Sequence, residues 1–141
     1  MAAITVNNGL QRIGCQSSQA TSGSGPTYNA SRQIQTMSVD DSTTAFASTH
    51  TALNTGGAVS NEFDAAFDST PTRSSQTITH IMTIPTGSGN FTIKRVALHD
   101  DTATNVTTSS TTLVAGIDGQ SLTKTSDFTL AITVNLLYTS V

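Results

Sequence analysis

The last part of the chain alternates apolar and polar side chains over residues 127–139, and no other feature restricts the fold as strongly. The apolar positions with this period of two are Phe128, Leu130, Ile132, Val134, Leu136 and Tyr138. Such a period is typical of a strand that buries one face. A helix is disfavoured because the intervening β-branched residues would lose rotamer freedom. We therefore predict a long strand here, and we expect it to be the central strand of a β-sandwich.

The length and composition of the chain predict one β domain over residues 1–141. A chain of 141 residues can bury a core without disulfides or metals. Ser and Thr make up a third of it, and Trp is absent. An O-glycosylated stalk has a similar composition but lacks apolar alternation. Thr on the outward positions of strands explains the composition better, because Thr suits a half-exposed pleated surface.

The charge of the chain excludes several classes of partner. Only 11% of the residues are charged and the net charge is −3, so neither nucleic acid nor an anionic membrane is expected as a partner. The first residues, 1–7, contain no basic segment or apolar core of a signal peptide, and no apolar window reaches the length of a membrane span. Low charge also leaves edge strands poorly protected. We therefore expect copies of this chain or another protein to cover part of the surface.

The N-terminal residues 1–27 have the weakest pattern and are predicted to form an arm. A turn or helix cap at residues 7–9 precedes Leu10 and Ile13, whose spacing predicts a short helix over residues 8–15. A Ser/Gly-rich loop follows up to residue 27. Cys15 is the only cysteine, which excludes an intrachain disulfide. It is expected to be a small buried hydrophobe, or else to form an intermolecular bridge.

Short strands with turn signals between them follow along the rest of the chain. We predict strands at residues 32–39, 62–68, 77–84, 91–98 and 112–117. Turn-forming residues at 85–90 predict that the third and fourth of these strands form a β-hairpin, with a bulge at residues 94–95. Asp40 and Asp41 are expected to lie in a turn, and Ser48 to cap one helical turn.

These elements predict an all-β fold. We expect an antiparallel β-sandwich, jelly-roll-like or Ig-like, with one or two short helices.

Metal-binding chemistry is not predicted by the acidic and histidine residues. His80 lies on the inward face of its strand and is expected to be a hydrogen-bonded, semi-buried residue. His99 precedes Asp100 and Asp101, which together with the pair at residues 40–41 could bind a hard cation such as Ca²⁺. These carboxylates lack the spacing of an EF-hand loop, so no metal ligand and no cofactor are expected.

Catalysis is not predicted either. No Gly-x-Ser-x-Gly motif exists, and the glycines around Ser24 and Ser88 are typical of turns. Glu62, Asp64 and Asp68 could act as paired carboxylates of a glycosidase, but the absence of Trp removes the usual aromatic platform for a sugar. We expect no catalytic residue and no enzyme activity.

The strands nearest the C-terminus resemble a known group of proteins. Residues 91–98 after a Gly-Ser-Gly turn, residues 112–117 and residues 122–134 resemble the C-terminal half of small structural proteins of tailed-bacteriophage virions. Those proteins, often described as tail-fibre-like, end with a short strand, a Lys-Thr turn and a long alternating strand. The N-terminal half is also similar at Gly9, Leu10, Ile13, residues 37–39 and Leu53. The resemblance implies a virion β-sandwich and brings no catalytic residue.

This resemblance leads to ranked hypotheses about function. The first is a capsid decoration (cement) protein, a homotrimer that binds the major capsid protein on the outer shell, with residues 1–27 reaching a neighbouring subunit. The alternative is a tail, collar or fibre component of the virion. A third hypothesis is a host-surface carbohydrate-binding module, and a fourth is a hydrolase. The expected location under the first two is the virion, assembled in the host cytoplasm.

Overall fold

The computed structural model describes residues 4–5, 34–74, 77–100, 110 and 112–137, and this part of the chain is all-β. Its strands are β1 Ile4–Thr5, β2 Thr36–Asp40, β3 Glu62–Ala66, β4 Thr72–Ser74, β5 Thr77–Ile84, β6 Thr92–Ile93, β7 Arg95–His99, β8 Leu113–Ile117, β9 Leu122–Thr123 and β10 Leu130–Leu137. None of the described residues lies in a helix. The helical turn predicted after Ser48 is wrong, because the chain there forms a series of turns. The helix predicted at residues 8–15 lies outside the described residues.

The strands form three antiparallel sheets. Sheet A has the order β1-β8-β7-β2-β3, sheet B has the order β10-β5-β4, and sheet C pairs β6 with β9. The predicted all-β class and antiparallel pairing are thus confirmed.

The C-terminal strand has the predicted alternation but not the predicted position. In β10, Val134 and Leu136 are buried while Thr133, Asn135 and Leu137 are exposed. The strand lies at the edge of sheet B, however, with β5 as its only partner among the described strands. The prediction of a central strand was wrong because period-two alternation reports which face is buried, and edge and central strands can share the same pattern.

The predicted hairpin between residues 77–84 and 91–98 does not form. β5 pairs with β10 along its whole length, from Ile84 opposite Leu130 to Thr77 opposite Leu137, whereas β7 pairs with β2 and β8. The turn at residues 85–91 therefore leads from sheet B towards sheets C and A. Turn residues indicate where a chain changes direction, but they do not determine which strand it pairs with.

The irregularity predicted at residues 94–95 exists as a break between β6 and β7 at Lys94. Ile93, Val96 and Leu98 have different parity in the sequence, yet all three are buried in the same cluster. The Lys94 backbone N–H donates to the Asp40 carbonyl oxygen at 2.8 Å, which ties the break to the end of β2.

The main core receives side chains from all three sheets. Its buried members are Met37, Val39, Val96, Leu98 and Ala115 of sheet A, Met82, Ile84, Val134 and Leu136 of sheet B, and Ile93 of sheet C. Sheets A and B thus bury one face each in a common cluster.

A second apolar cluster covers the opposite face of sheet A. Ala97 alternates with the core residues of β7 and packs with Phe46, Leu53 and Leu113. A Cβ atom on Gly116 would overlap the Phe46 ring, so a glycine is required there. Residues 41–60 therefore act as a cover over this face, and all five residues of β2 are buried.

A buried ion pair holds this cover in place. Arg95 and Asp40 are each 1% exposed, and two hydrogen bonds of 2.9 Å join the guanidinium Nε and Nη2 to the two carboxylate oxygens. Arg95 also donates to the carbonyl oxygens of Thr44 at 3.0 Å and Leu53 at 2.6 Å. The Phe46 ring centroid lies 4.5 Å from the Arg95 Cζ. One side chain thereby binds three points of the cover.

The two aspartates at the end of β2 hold the cover, and Asp40 also makes a turn contact of the predicted kind, because its carboxylate accepts from the Ser42 backbone N–H at 2.9 Å. Burial raises the pKa of the Asp40 carboxyl, although hydrogen bonds from Arg95 and the Ser42 backbone N–H oppose that shift. Asp41 accepts from the backbone N–H groups of Ser60 and Asn61 at 3.0 and 3.1 Å. The Asp40 and Asp41 carboxylates therefore fasten both ends of residues 41–60.

We predict that Arg95→Met lowers the free energy of unfolding by about 3–5 kcal/mol, because it leaves the Asp40 carboxylate buried without its counter-ion. Urea denaturation monitored by circular dichroism measures this loss. The neighbouring Lys94→Met is the matched control and is expected to change stability by about 0.5 kcal/mol or less. Equal losses in the two variants would contradict the assigned role of the ion pair.

Candidate interaction surface

The free edge of β10 is the longest such edge in the described part of the chain. β10 pairs with β5 over eight consecutive residues without a register shift, and no described strand lies on its other side. An edge of this kind presents a row of backbone N–H and C=O groups to which another strand can pair.

This edge lacks the features that usually protect exposed strands. Residues 128–137 contain no charged residue and no proline, and the continuous register excludes a bulge. The other outermost strands differ: β3 carries Glu62 and Asp64, while β4 and β1 have only three and two residues. Charge and short length are both devices that discourage edge pairing. Only β10 among the described strands is long, uncharged and open.

The outer face of sheet B continues this surface with uncharged residues on β5 and β10, and the Asp68 carboxylate lies beside Thr83 at its margin. Its outward positions on β10 and β5 are Ala131, Thr133, Asn135, Leu137, Thr77, Thr79, Ile81 and Thr83. The expectation that Thr occupies outward strand positions is confirmed here. Thr79 donates to the Asn135 side-chain oxygen at 2.7 Å, and Leu137 is 67% exposed.

An apolar groove opens beside β10, between sheet B and the other two sheets. Its volume is about 220 Å³, and Gln120, Ala131 and Thr133 form part of its lining. The large apolar residues that line it are Ile93, Val96, Ile117, Leu122, Ile132 and Val134. These residues belong to five different strands, β6 to β10. Leu122 is 43% exposed at the rim. The groove therefore lies at the place where an added strand would bury its inward-facing side chains.

The turn between β9 and β10 is held by a buried lysine. Lys124 is 1% exposed, and its Nζ donates to the Thr125 carbonyl oxygen at 3.1 Å and to Asn90 Oδ1 at 3.5 Å. Phe128, 41% exposed, places its ring centroid 5.5 Å from that Nζ. Lys124 thus sets the direction in which the chain enters β10.

The histidines lie in the interior rather than on this surface. His80 is 3% exposed and its ring centroid lies 4.9 Å from that of Phe67. Its Nδ1 has no hydrogen-bond partner, so only part of the expected hydrogen bonding is present. Burial lowers the pKa of His80, and a hydrogen bond with the Val134 backbone only partly offsets this effect.

Ser38 and His99 lie within hydrogen-bonding distance of each other, a contact that the sequence did not predict. Ser38 Oγ is 2.7 Å from His99 Nε2, and His99 Nδ1 is 3.3 Å from Thr112 Oγ1. The first distance matches that of a nucleophile and its base. Both Ser38 and His99 are 0% exposed, however, so a substrate cannot reach them. The pair links β2 to β7. The 61 residues that separate its members conceal it in the sequence.

The structure also gives the positions of the described carboxylates and serine that were considered for catalysis. Asp68 accepts from the Thr83 backbone and side chain at 2.9 and 2.6 Å, and Glu62 and Asp64 lie on β3 in sheet A. Ser88 lies in the turn after β5. Within the described ranges no group of three metal-ligating side chains occurs. Cys15, Ser24 and Asp101 are outside those ranges.

Comparison of the chain with protein-family models, curated proteins and solved structures gives no match. Among the described residues, no helix has the length and apolar character needed to cross a membrane.

We predict that wild-type stability decreases below about pH 6.5 and that part of this decrease depends on His80. The unfolded chain binds a proton at His80 near its ordinary pKa of 6.5, whereas the folded chain resists it. The free energy of unfolding therefore falls with decreasing pH until the lower folded pKa is reached.

Urea denaturation between pH 5.5 and 7.5 tests this prediction when His80→Leu is compared with wild type. We expect a shallower pH dependence in the variant. Met82→Leu, a substitution two positions along the same buried face, should alter stability without altering the slope. An unchanged slope in His80→Leu would contradict the prediction.

Proposed function

We propose that this protein is a structural protein of a bacteriophage virion, a capsid decoration protein that docks on the outer shell and stabilises it. The observation that carries the proposal is the surface formed by the β10 edge and the outer face of sheet B, whose positions on β5 and β10 are all uncharged. A protein that exposes such a surface suits an assembly in which other proteins cover it.

The position of the resembling segments supports this function. Residues 91–98, 112–117 and 122–134 supply β6 to β10, and these same strands line the groove beside β10. The C-terminal segments of the resemblance thus supply the groove and the β10 edge of the candidate interaction surface, and β5 supplies the rest of its outer face. Modest contacts of this kind become strong when many copies dock on a symmetric shell.

The proposal includes a β-sandwich of the jelly-roll-like or Ig-like kind for the domain. Sheets A and B each contribute one face to the same buried cluster, which is the arrangement of two packed sheets. The resemblance supports the same architecture.

The direct experiment is electron microscopy of intact parent particles labelled with a gold-conjugated antibody against this protein. Label over the whole head is the expected result. Label confined to one vertex or to the tail would replace the decoration role with a tail, collar or fibre role. No label on well-preserved particles would contradict an exposed virion role altogether.

We predict that Ile81→Lys weakens binding of the purified protein to shells that lack it, because a lysine at the centre of the outer face of sheet B must be desolvated on docking. Ile81 is 37% exposed, so the fold should tolerate the change. Co-sedimentation with shells measures the loss, for which we expect a factor of about ten or more.

The control for this measurement is Ser48→Lys, which adds the same charge at an exposed position of the cover over sheet A. It should bind like wild type. Equal binding by all three proteins would show that docking does not involve the outer face of sheet B.

A further inference from the structure

We infer that β10 pairs with β10 of a second copy of this chain, antiparallel and about a two-fold axis, so that two copies of sheet B become one continuous sheet. The inference goes beyond the proposed function by naming the occupant of the β10 edge. It does not depend on that function, because the pairing takes place in the free protein.

The absence of charge along β10 is the first reason why a second copy of the chain suits its free edge. A strand that pairs with itself brings identical side chains close together, and like charges directly opposite each other are destabilising. Residues 128–137 carry no charge, so no repulsion arises along the edge. Asp127 lies at one end only, and the antiparallel arrangement separates the two copies of this carboxylate by the length of the strand pair.

The second reason is the complementarity of the outer-face residues. With the axis at Val134, each Thr133 lies opposite Asn135 of the second copy, and this pairing occurs twice. Thr and Asn side chains already form a cross-strand hydrogen bond of 2.7 Å within sheet B, between Thr79 and Asn135. The same chemistry is therefore available across the axis.

The third reason is the groove beside β10. On the inward face the same register places Val134 opposite its own copy, and Leu136 of the second copy opposite Ile132. Val134 and Ile132 both line the groove. The added strand thus extends the apolar side of sheet B over an apolar groove of about 220 Å³, which favours pairing through burial of apolar surface.

This register gives a homodimer, in place of the homotrimer expected from the sequence. A two-fold axis makes each copy donate and accept the same surface, the commonest form of closed assembly.

The test is the molar mass of the purified full chain by light scattering over a range of concentrations. We expect a dimer that dissociates on dilution. Thr133→Lys places two lysines beside the axis and should raise the dimer dissociation constant by about tenfold or more. Thr72→Lys makes the same substitution at an exposed position on the opposite edge of sheet B, and it should leave the constant unchanged.

Hydrogen exchange of the wild-type β10 amides provides a second measurement that does not depend on a variant. We expect their protection to increase with protein concentration. A monomer with unprotected amides would overturn the inference, as would a trimer. A monomer with protection independent of concentration would also overturn it and would show that the chain's own residues cover the edge. Because these measurements need no particles, dimer formation without gold label on the virion would refute only the proposed function.

Discussion

The buried ion pair between Arg95 and Asp40 is the interaction on which the rest of the structure depends. It lies where β7 and β2 meet and reaches the carbonyl oxygens of Thr44 and Leu53. Removing two charges from water is costly unless geometry and additional hydrogen bonds are good. Here the pair is bidentate, and the remaining donors of the guanidinium reach backbone acceptors in the cover. These hydrogen bonds offset the cost of burying the two charges, and they anchor residues 41–60 to sheet A.

Because of this anchoring, sheets A and B differ in how many of their faces are covered. Sheet A is covered on one face by the shared core and on the other by residues 41–60, so β2 and β7 are buried throughout. Within the described part of the chain, sheet B is covered on one face only, and its outer positions on β5 and β10 are Thr, Asn, Ala, Ile and Leu. The surface available for association is therefore concentrated on sheet B and its β10 edge.

The sequence predicts structural features that depend on one strand alone. It does not predict features that depend on which strands pair with each other. The alternation at Leu130, Ile132 and Val134 correctly indicated a half-buried strand, because a period of two follows from strand geometry alone. The position of β10 at an edge depends on which strands lie beside it, and no local pattern encodes that. The hairpin failed for the same reason.

The links that hold the interior together were equally hidden, since Arg95 and Asp40 are 55 residues apart. The segment Asp40-Asp41-Ser42 is typical of a turn. Only the position of Arg95 in the structure shows that the first aspartate belongs to β2. The candidate surface was anticipated in its chemistry, uncharged and Thr-rich, but not in its location.

The absence of charge along β10 also limits how such a protein can associate. An open, neutral edge that paired head to tail would allow unlimited growth of the sheet. Two-fold pairing through β10 instead leaves β4 at both ends of the combined sheet, in the order β4-β5-β10-β10-β5-β4. β4 spans only Thr72–Ser74, and an edge of that length offers too few backbone groups to recruit a further strand. Among the described strands, pairing through β10 therefore removes the only edge of sheet B that is long enough to support growth. An uncharged β10 edge would allow uncontrolled pairing of a monomer, but it is compatible with a closed dimer.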